Sequence, residues 1–141
     1  MAIEELKFGF EQLELWKKVR EFKKEVSAEA KKWPAEEKFK LIDQIIRSSR
    51  STNALLAEGH GRFTFSDQLH FCIQARGSLS ETINHLIDAF DEAYITEERL
   101  KYFKEKAKKL KGCLMVISNF YEIKEMVKRN KYFLYPINLI Y

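Results

Sequence analysis

The clearest helix in this sequence runs through Leu100-Lys-Tyr-Phe-Lys-Glu-Lys-Ala-Lys-Lys-Leu-Lys-Gly-Cys-Leu-Met-Val-Ile-Ser-Asn-Phe-Tyr121. Apolar residues recur there at alternating spacings of three and four, which is the pattern of a helix that buries one face. They are Leu100, Phe103, Ala107, Leu110, Leu114, Ile117 and Tyr121. Lysines form a separate stripe on one side of the same helix: Lys101, Lys104, Lys108 and Lys111. The stretch therefore predicts a long amphipathic helix, over about residues 97–128, with a basic flank.

Two further helices are predicted at the start of the chain, over about residues 10–32 and 35–58. The apolar stripe of the first is Leu15, Val19, Phe22, Val26 and Ala30, and Trp33-Pro34 ends that helix. The stripe of the second is Phe39, Ile42, Ile45 or Ile46, and Leu56. Small polar residues interrupt it and favour close approach of a neighbouring backbone: Ser48, Ser49, Ser51 and Thr52. Gly59 is expected to stop the second helix, because glycine reaches a positive φ angle without steric cost.

The remaining helix is predicted over about residues 65–92, and Thr64 with Asp67 resembles a capping pair at its start. Its seam is Leu69, Cys72, Arg76, Leu79, Ile83, Leu86 and Phe90. A buried guanidinium needs a partner, so we expect an ion pair of Arg76 with Glu58 or Glu81. The alternative is that Arg76 faces a cleft and binds phosphate or carboxylate. The next two residues, Gly77 and Ser78, are expected to pack closely against the serines of the preceding helix.

Short connections between four long helices predict antiparallel neighbours, and so an all-α, up-down-up-down four-helix bundle. A chain of 141 residues fits a single domain over 1–141. An apolar tail over 129–141 should cover some surface, either of its own bundle or of a neighbouring subunit. The residues expected at an oligomer interface are Phe10, Leu13, Trp16, Tyr132, Phe133 and Tyr135.

Composition limits the compartment and the chemistry. Two cysteines, Cys72 and Cys113, are too few for a disulfide framework and lack metal-ligand spacing. The N-terminus lacks the features of a signal peptide, and no apolar run approaches the roughly 20 residues that a membrane span needs. We therefore expect a soluble, cytoplasmic protein with no membrane partner. The three histidines are scattered, so we expect no metal, no cofactor and no enzymatic activity.

Several short motifs, in a fixed order, resemble a known family. They are Phe10-Glu-Gln-Leu-Glu-Leu-Trp16, Gln44-Ile45 with Arg47, Ala57-Glu-Gly-His-Gly-Arg62, Ala75-Arg-Gly-Ser-Leu79 with Glu81, and Tyr94-Ile95. Over about residues 8–122 the chain resembles the four-helix-bundle family that is also called the 23S rRNA-intervening-sequence protein family. The resemblance implies a helical bundle that assembles into a ring, commonly a pentamer. Related bundle proteins accompany the reverse transcriptases of diversity-generating retroelements, where a basic surface is thought to contact nucleic acid.

Charge supplies the main functional hypothesis. The net charge of +4 is modest, but residues 97–131 alone carry eleven Lys or Arg against five Asp or Glu. We expect a homo-oligomer that binds RNA or DNA, or a ribonucleoprotein or reverse-transcriptase partner, through the four lysines of the stripe and Arg62. Two alternatives stay open: the lysines form an ordinary solvated face, or the protein is an interaction scaffold that binds no nucleic acid.

Overall fold

The computed structural model describes residues 6–133, with side chains through Asn130. Four α-helices make up most of this part of the chain, and it contains no strand. They are α1 (Glu14–Ala30), α2 (Leu41–His60), α3 (Phe65–Asp91) and α4 (Glu97–Phe133). Two short 3-10 turns, Gly9–Gln12 and Ala35–Glu37, precede α1 and α2. The predicted all-helical bundle is confirmed.

Each helix packs against the next one along the chain, and α1 also contacts α4. Between α2 and α3, Ser51 Oγ lies 3.0 Å from Ser78 Oγ, and the Thr82 hydroxyl donates to Ser48 Oγ at 2.9 Å. Later residues of α2 thus meet earlier residues of α3, which means that this pair is antiparallel. The small polar residues of α2 do face α3, as the sequence indicated.

The contact between α1 and α4 also runs in opposite directions along the two helices. Arg99 donates to Glu29 Oε2 through Nε at 3.2 Å and through a terminal guanidinium nitrogen at 2.9 Å. One turn earlier in α1 and two turns later in α4, Lys106 Nζ donates to Glu25 Oε1 at 2.6 Å. These polar contacts lie at the edge of the core and fix the register of the two helices.

The apolar stripes of α1 and α4 form the core as predicted. All five stripe residues of α1 are buried, and so are the first five stripe residues of α4. The last two, Ile117 and Tyr121, are only half-buried. The core therefore thins out toward the C-terminal half of α4.

The start of α2 differs from the prediction. The helix begins at Leu41, and Phe39, which the sequence predicts on the buried stripe, is 84% exposed. The backbone of Lys40, at φ −122° and ψ −109°, interrupts the helical path. Glu37 then caps the new start, because its carboxylate accepts a hydrogen bond from the Leu41 amide at 3.2 Å.

Gly59 does not end α2 through a positive φ angle, so that prediction was wrong. The helix continues to His60, and no glycine in the described residues has a positive φ. Gly59 is buried where α2 crosses α3, and a Cβ atom added there would lie 2.8 Å from Cβ of Phe71. Its role is close packing between two backbones.

The buried face of α3 is rotated slightly from the predicted seam, which holds at Cys72, Leu79 and Leu86 but elsewhere gives way to the preceding residue. Ala75, Thr82 and Ala89 are buried, whereas Arg76 and Ile83 are half-buried and Phe90 is 37% exposed. The small residues are buried because they let α3 lie close to α2. A sequence pattern that follows large apolar side chains misses this choice.

Glycine and serine in the middle of α3 behave differently from each other. The predicted packing holds for Ser78, which contacts Ser51. It does not hold for Gly77, where an added Cβ would meet nothing within 4 Å. Gly77 therefore faces open space and only weakens the helix.

The ends of α3 and α4 follow the predicted capping chemistry. Thr64 Oγ1 accepts from the Asp67 amide at 3.1 Å, and Thr96 Oγ1 accepts from the Arg99 amide at 3.2 Å. Between the two helices Ala93 adopts φ 59°, a left-handed conformation. The predicted tail begins later than expected, because 129–133 belong to α4. Residues 134–141 lie outside the described part.

Candidate nucleic-acid interface

The lysine stripe lies along the edge of α4 that faces α3. Leu100, Phe103, Ala107, Leu110 and Leu114 are buried, and this fixes the rotation of α4 about its axis. The four lysines of the stripe are consequently exposed. Within the part of the chain that the structure describes, none of them has a carboxylate oxygen within 4.0 Å.

A groove between α3 and α4 collects three of the four lysines. It has a volume of about 290 Å³. Its lining is Leu79, Ser80, Ile83, Lys104, Ala107, Lys108 and Lys111. Apolar walls with ammonium groups along one rim offer a track for a chain of phosphates. An adjoining groove holds the fourth lysine, Lys101, together with Glu97, Glu98 and Glu105, and Lys104 lines both grooves. Lys104, Lys108 and Lys111 share the α3–α4 groove, and we call these three residues the lysine groove.

Arg62 is not part of this arrangement, so the structure does not bring together all five predicted nucleic-acid-binding residues. Its guanidinium lies 2.8 Å from Glu58 Oε1 and 4.8 Å from the ring centroid of Phe71. The next helix starts at Phe65, whose ring is 6.3 Å from that of Tyr121. Ten residues of α4 separate that level from Lys111, a rise of about 15 Å. Arg62 is thus neutralised and distant.

The predicted ion pair of Arg76 was wrong. Glu58 pairs with Arg62, and Glu81 lies 3.5 Å from His85 Nε2; neither carboxylate lies within 4.0 Å of Arg76. The rotation of α3 leaves Arg76 half-buried, so its guanidinium retains part of its hydration and needs no buried partner.

An exposed apolar stripe covers the second half of α4. Val116, Phe120, Ile123 and Val127 lie at spacings of four, three and four, and at least half of each side chain is exposed. Because the Tyr121 ring lies beside the first residue of α3, the twelve residues after it extend about 18 Å past that end of the bundle. We call these four residues the α4 apolar stripe; the sequence analysis did not identify them.

The predicted interface residues near the N-terminus lie next to this stripe. Leu13 and Trp16 line an apolar groove of about 500 Å³ together with Val116 and Phe120. The Phe10 ring packs edge-on against Trp16 at 5.2 Å. Side chains of Tyr132 and Phe133, and the whole of Tyr135, lie outside the described residues.

A second basic groove, between α1 and α2, was also missed. Its cations are Lys23, Lys24, Lys31 and Arg50. The sequence does show basic residues recurring at helical spacing in α1. Acidic residues lie between them, so the net charge of the segment does not indicate a basic surface.

Other site chemistry is sparse in the described residues. They contain no group of three or more His, Cys, Asp or Glu side chains placed to hold a metal ion. None of the helices among them combines the length and the apolar character that crossing a bilayer requires. Burial raises the pKa of the Cys72 thiol, which makes that cysteine a poor nucleophile.

Together, the fold and its surface define a small all-helical bundle protein with basic grooves and an apolar helix extension. A family model described as the 23S rRNA-intervening sequence protein matches residues 11–115. The chain belongs to this family, as its motifs indicated.

A solved structure shares the fold. It is that of a protein with unknown function from the S23 ribosomal protein family of Bacteroides thetaiotaomicron VPI-5482. The two chains are 24% identical and superpose with a TM-score of 0.69, over 74% of this chain and 95% of the other. At this identity the likeness shows a common architecture alone. No curated protein matches the sequence at a significant level.

Proposed function

We propose that this protein is a non-enzymatic, self-associating helical bundle that binds nucleic acid through the lysine groove. One observation carries the proposal: Lys104, Lys108 and Lys111 are exposed along the α3–α4 groove with no carboxylate partner among the described residues. Cations without partners contribute to phosphate binding because counterions are released from the nucleic acid. The family name adds an association with ribosomal RNA genes.

Self-association through the α4 apolar stripe would multiply this effect. Single exposed apolar residues are ordinary on protein surfaces, but a continuous stripe along one helix marks an interface. A second copy that covers the stripe would bring several lysine grooves into one assembly. Linked sites raise the overall affinity for a long polyanion well above that of one subunit.

The nucleic-acid test measures the dependence of binding on salt concentration. The triple variant Lys104→Gln, Lys108→Gln, Lys111→Gln should weaken binding to a labelled RNA or DNA duplex in a fluorescence anisotropy titration. A plot of the logarithm of the binding constant against the logarithm of the salt concentration should have a slope that is shallower by about 2–3 for this variant. Each lost phosphate contact reduces the magnitude of that slope by about 0.9 for duplex DNA.

A matched control removes the same charge from other surfaces of the protein. Lys18 and Lys109 line the α1–α4 groove, and Lys128 is exposed further along α4. The triple variant with glutamine at these three positions should retain most of the wild-type slope. Equal losses in the two triple variants would mean that only net charge matters, and the lysine groove would then not be the site.

The self-association test measures mass in solution by native mass spectrometry and light scattering. The wild type should exceed the 16.8 kDa of one chain, and the double variant Phe120→Ser, Ile123→Ser should return to that mass. Phe39→Ser is the control, because Phe39 is more exposed than Phe120 or Ile123 and lies just before α2, far from the stripe in the sequence. A wild-type protein that is monomeric at all concentrations would refute this part of the proposal.

The interaction scaffold is the second candidate function, and the α4 apolar stripe favours it. If neither RNA nor DNA binds at low salt while the assembly stays intact, the stripe is the functional surface and the lysine groove is a solvated face.

A further inference from the structure

The groove between α1 and α2 has the composition of an anion site. It has a volume of about 510 Å³. Four basic residues line it, and Ile46, Ser49, Ser27 and Ala28 provide the small and apolar part of the lining. Of the four cations, only Lys24 has a carboxylate partner in the described residues, Glu21 at 3.0 Å. Three of the cations that line this concave surface therefore have no carboxylate partner among the described residues.

Lys23, one of the lining residues, has a neutral hydrogen-bond partner beside the groove. Its Nζ donates to Asn53 Oδ1 at 3.2 Å, and Asn53 is itself buried. The Asn53 amide nitrogen donates to the carbonyl oxygen of Trp16 at 3.2 Å. Because only one orientation of the amide satisfies both hydrogen bonds, Asn53 presents its oxygen to the Lys23 ammonium. Among the described residues no carboxylate oxygen lies within 4.0 Å of that ammonium, so its charge is left uncompensated.

The electrostatics of Lys23 agree with this geometry. Burial, followed by the nearby charges of Arg20, Arg50 and Lys24, lowers the pKa of the Lys23 ammonium. Each of these influences disfavours the charged form. An anion placed between α1 and α2 would relieve the repulsion among these cations, so its binding there is electrostatically favoured.

We propose that the α1–α2 groove binds phosphate groups through Lys23, Lys31 and Arg50. Phosphate suits the donors better than a single carboxylate does, because its oxygens accept from the planar fork of an arginine and from separate ammonium groups at the same time. The site is distinct from the lysine groove. Helices pack in the order α1, α2, α3, α4 and back to α1, so the α1–α2 and α3–α4 grooves lie on opposite sides of the bundle.

The test is a titration of the full-length protein with inorganic pyrophosphate, followed by 31P NMR line broadening, and a parallel titration with a short single-stranded oligonucleotide. The double variant Lys23→Gln, Arg50→Gln should bind at least one of the two ligands about tenfold or more weakly than the wild type, which corresponds to about 1.4 kcal/mol. Arg50→Gln alone, at an exposed position, should give part of this loss and guards against misfolding of the double variant. The control Lys18→Gln, Lys109→Gln removes the same charge from the α1–α4 groove and should bind as the wild type does.

The two ligands distinguish the sources of phosphate. A loss seen with pyrophosphate assigns the groove to a free phosphate compound, and a loss seen with the oligonucleotide alone assigns it to a nucleic-acid backbone. The proposal is overturned if the groove variant and its control bind both ligands equally well. Substitution of the lysine groove should leave the pyrophosphate titration unchanged, so this site and the proposed function fail independently of each other.

Discussion

Gly59 and Gly77 are both glycines inside helices, yet replacing each by alanine should change stability in opposite directions. Gly59 lies where α2 crosses α3, and an added Cβ would be 2.8 Å from Cβ of Phe71. A Cβ atom added at Gly77 would have no atom within 4 Å. The pair therefore separates a steric effect from the intrinsic helix propensity of alanine.

The size of each effect follows from the geometry. Carbon atoms in contact are about 3.5–4.0 Å apart, so α2 and α3 would have to separate by about 1 Å around Gly59→Ala. Overpacking of this kind costs about 1–3 kcal/mol, and the upper end applies because a Cβ atom is fixed to its backbone and cannot rotate away. Alanine returns about 1 kcal/mol of helix propensity. The net loss is about 2 kcal/mol for Gly59→Ala, against a gain of up to about 1 kcal/mol for Gly77→Ala.

Thermal and urea unfolding followed by far-UV circular dichroism measure both variants. At this chain length 1 kcal/mol moves the melting temperature by about 3 °C, so Gly59→Ala should melt about 6 °C below the wild type and Gly77→Ala slightly above it. All samples need one protein concentration, because self-association stabilises the folded state by mass action. The reasoning is refuted if Gly59→Ala is as stable as Gly77→Ala.

Three further predictions concern other contacts. Arg99→Ala removes the two N–H groups that donate to Glu29 Oε2 and leaves this buried carboxylate with Lys32 at 3.5 Å. Because the Arg99 side chain is about 40% exposed, the free energy of unfolding in urea should fall by about 2 kcal/mol, below the full cost of breaking a buried pair. Ala93→Gly should raise the melting temperature, because glycine adopts the observed φ of 59° without the strain of a Cβ atom, a gain of about 0.5–1 kcal/mol. Glu25→Gln should flatten the loss of stability in acid, measured as unfolding free energy against pH.

The sign of the Glu25 prediction follows from its surroundings. Burial raises the pKa of this carboxyl, but hydrogen bonds from Lys106 and Tyr102 outweigh burial and hold the pKa below its usual value of 4.5. A lowered pKa in the folded state stabilises the protein above the unfolded value, and this contribution disappears as the pH falls below it. The wild type should therefore lose more stability than Glu25→Gln between about pH 5 and pH 3.

Each of these expectations has a definite contrary result. A double-mutant cycle of Arg99→Ala with Glu29→Gln that shows no coupling would mean that the ion pair contributes nothing. A lower melting temperature for Ala93→Gly would mean that chain entropy outweighs relief of strain at that turn. Identical acid profiles for the wild type and Glu25→Gln would remove Glu25 from the acid response.

The number of helices, most of their bounds and two of the four core stripes followed from the sequence. In α1 and α4 the apolar residues are large and regularly spaced, so one face outcompetes every other for burial. Local capping was equally readable at Thr64 and Thr96, because a cap depends on residues within one turn of each other.

Features that depend on two helices at once came from the packed structure. The sequence alone predicts Gly59 as a helix stop, and its packing role follows only from the position of Phe71 opposite it. The rotation of α3 depends on the small residues that both α2 and α3 place at their contact. The same holds for the sites: the lysine stripe is a local repeat and was readable in one helix, whereas the α1–α2 groove exists only where Lys23 and Arg50 meet. The spacing of apolar residues in the sequence indicates which face of a helix is buried. The distance between two helices depends on the side chains of both, so it follows only from the packed structure.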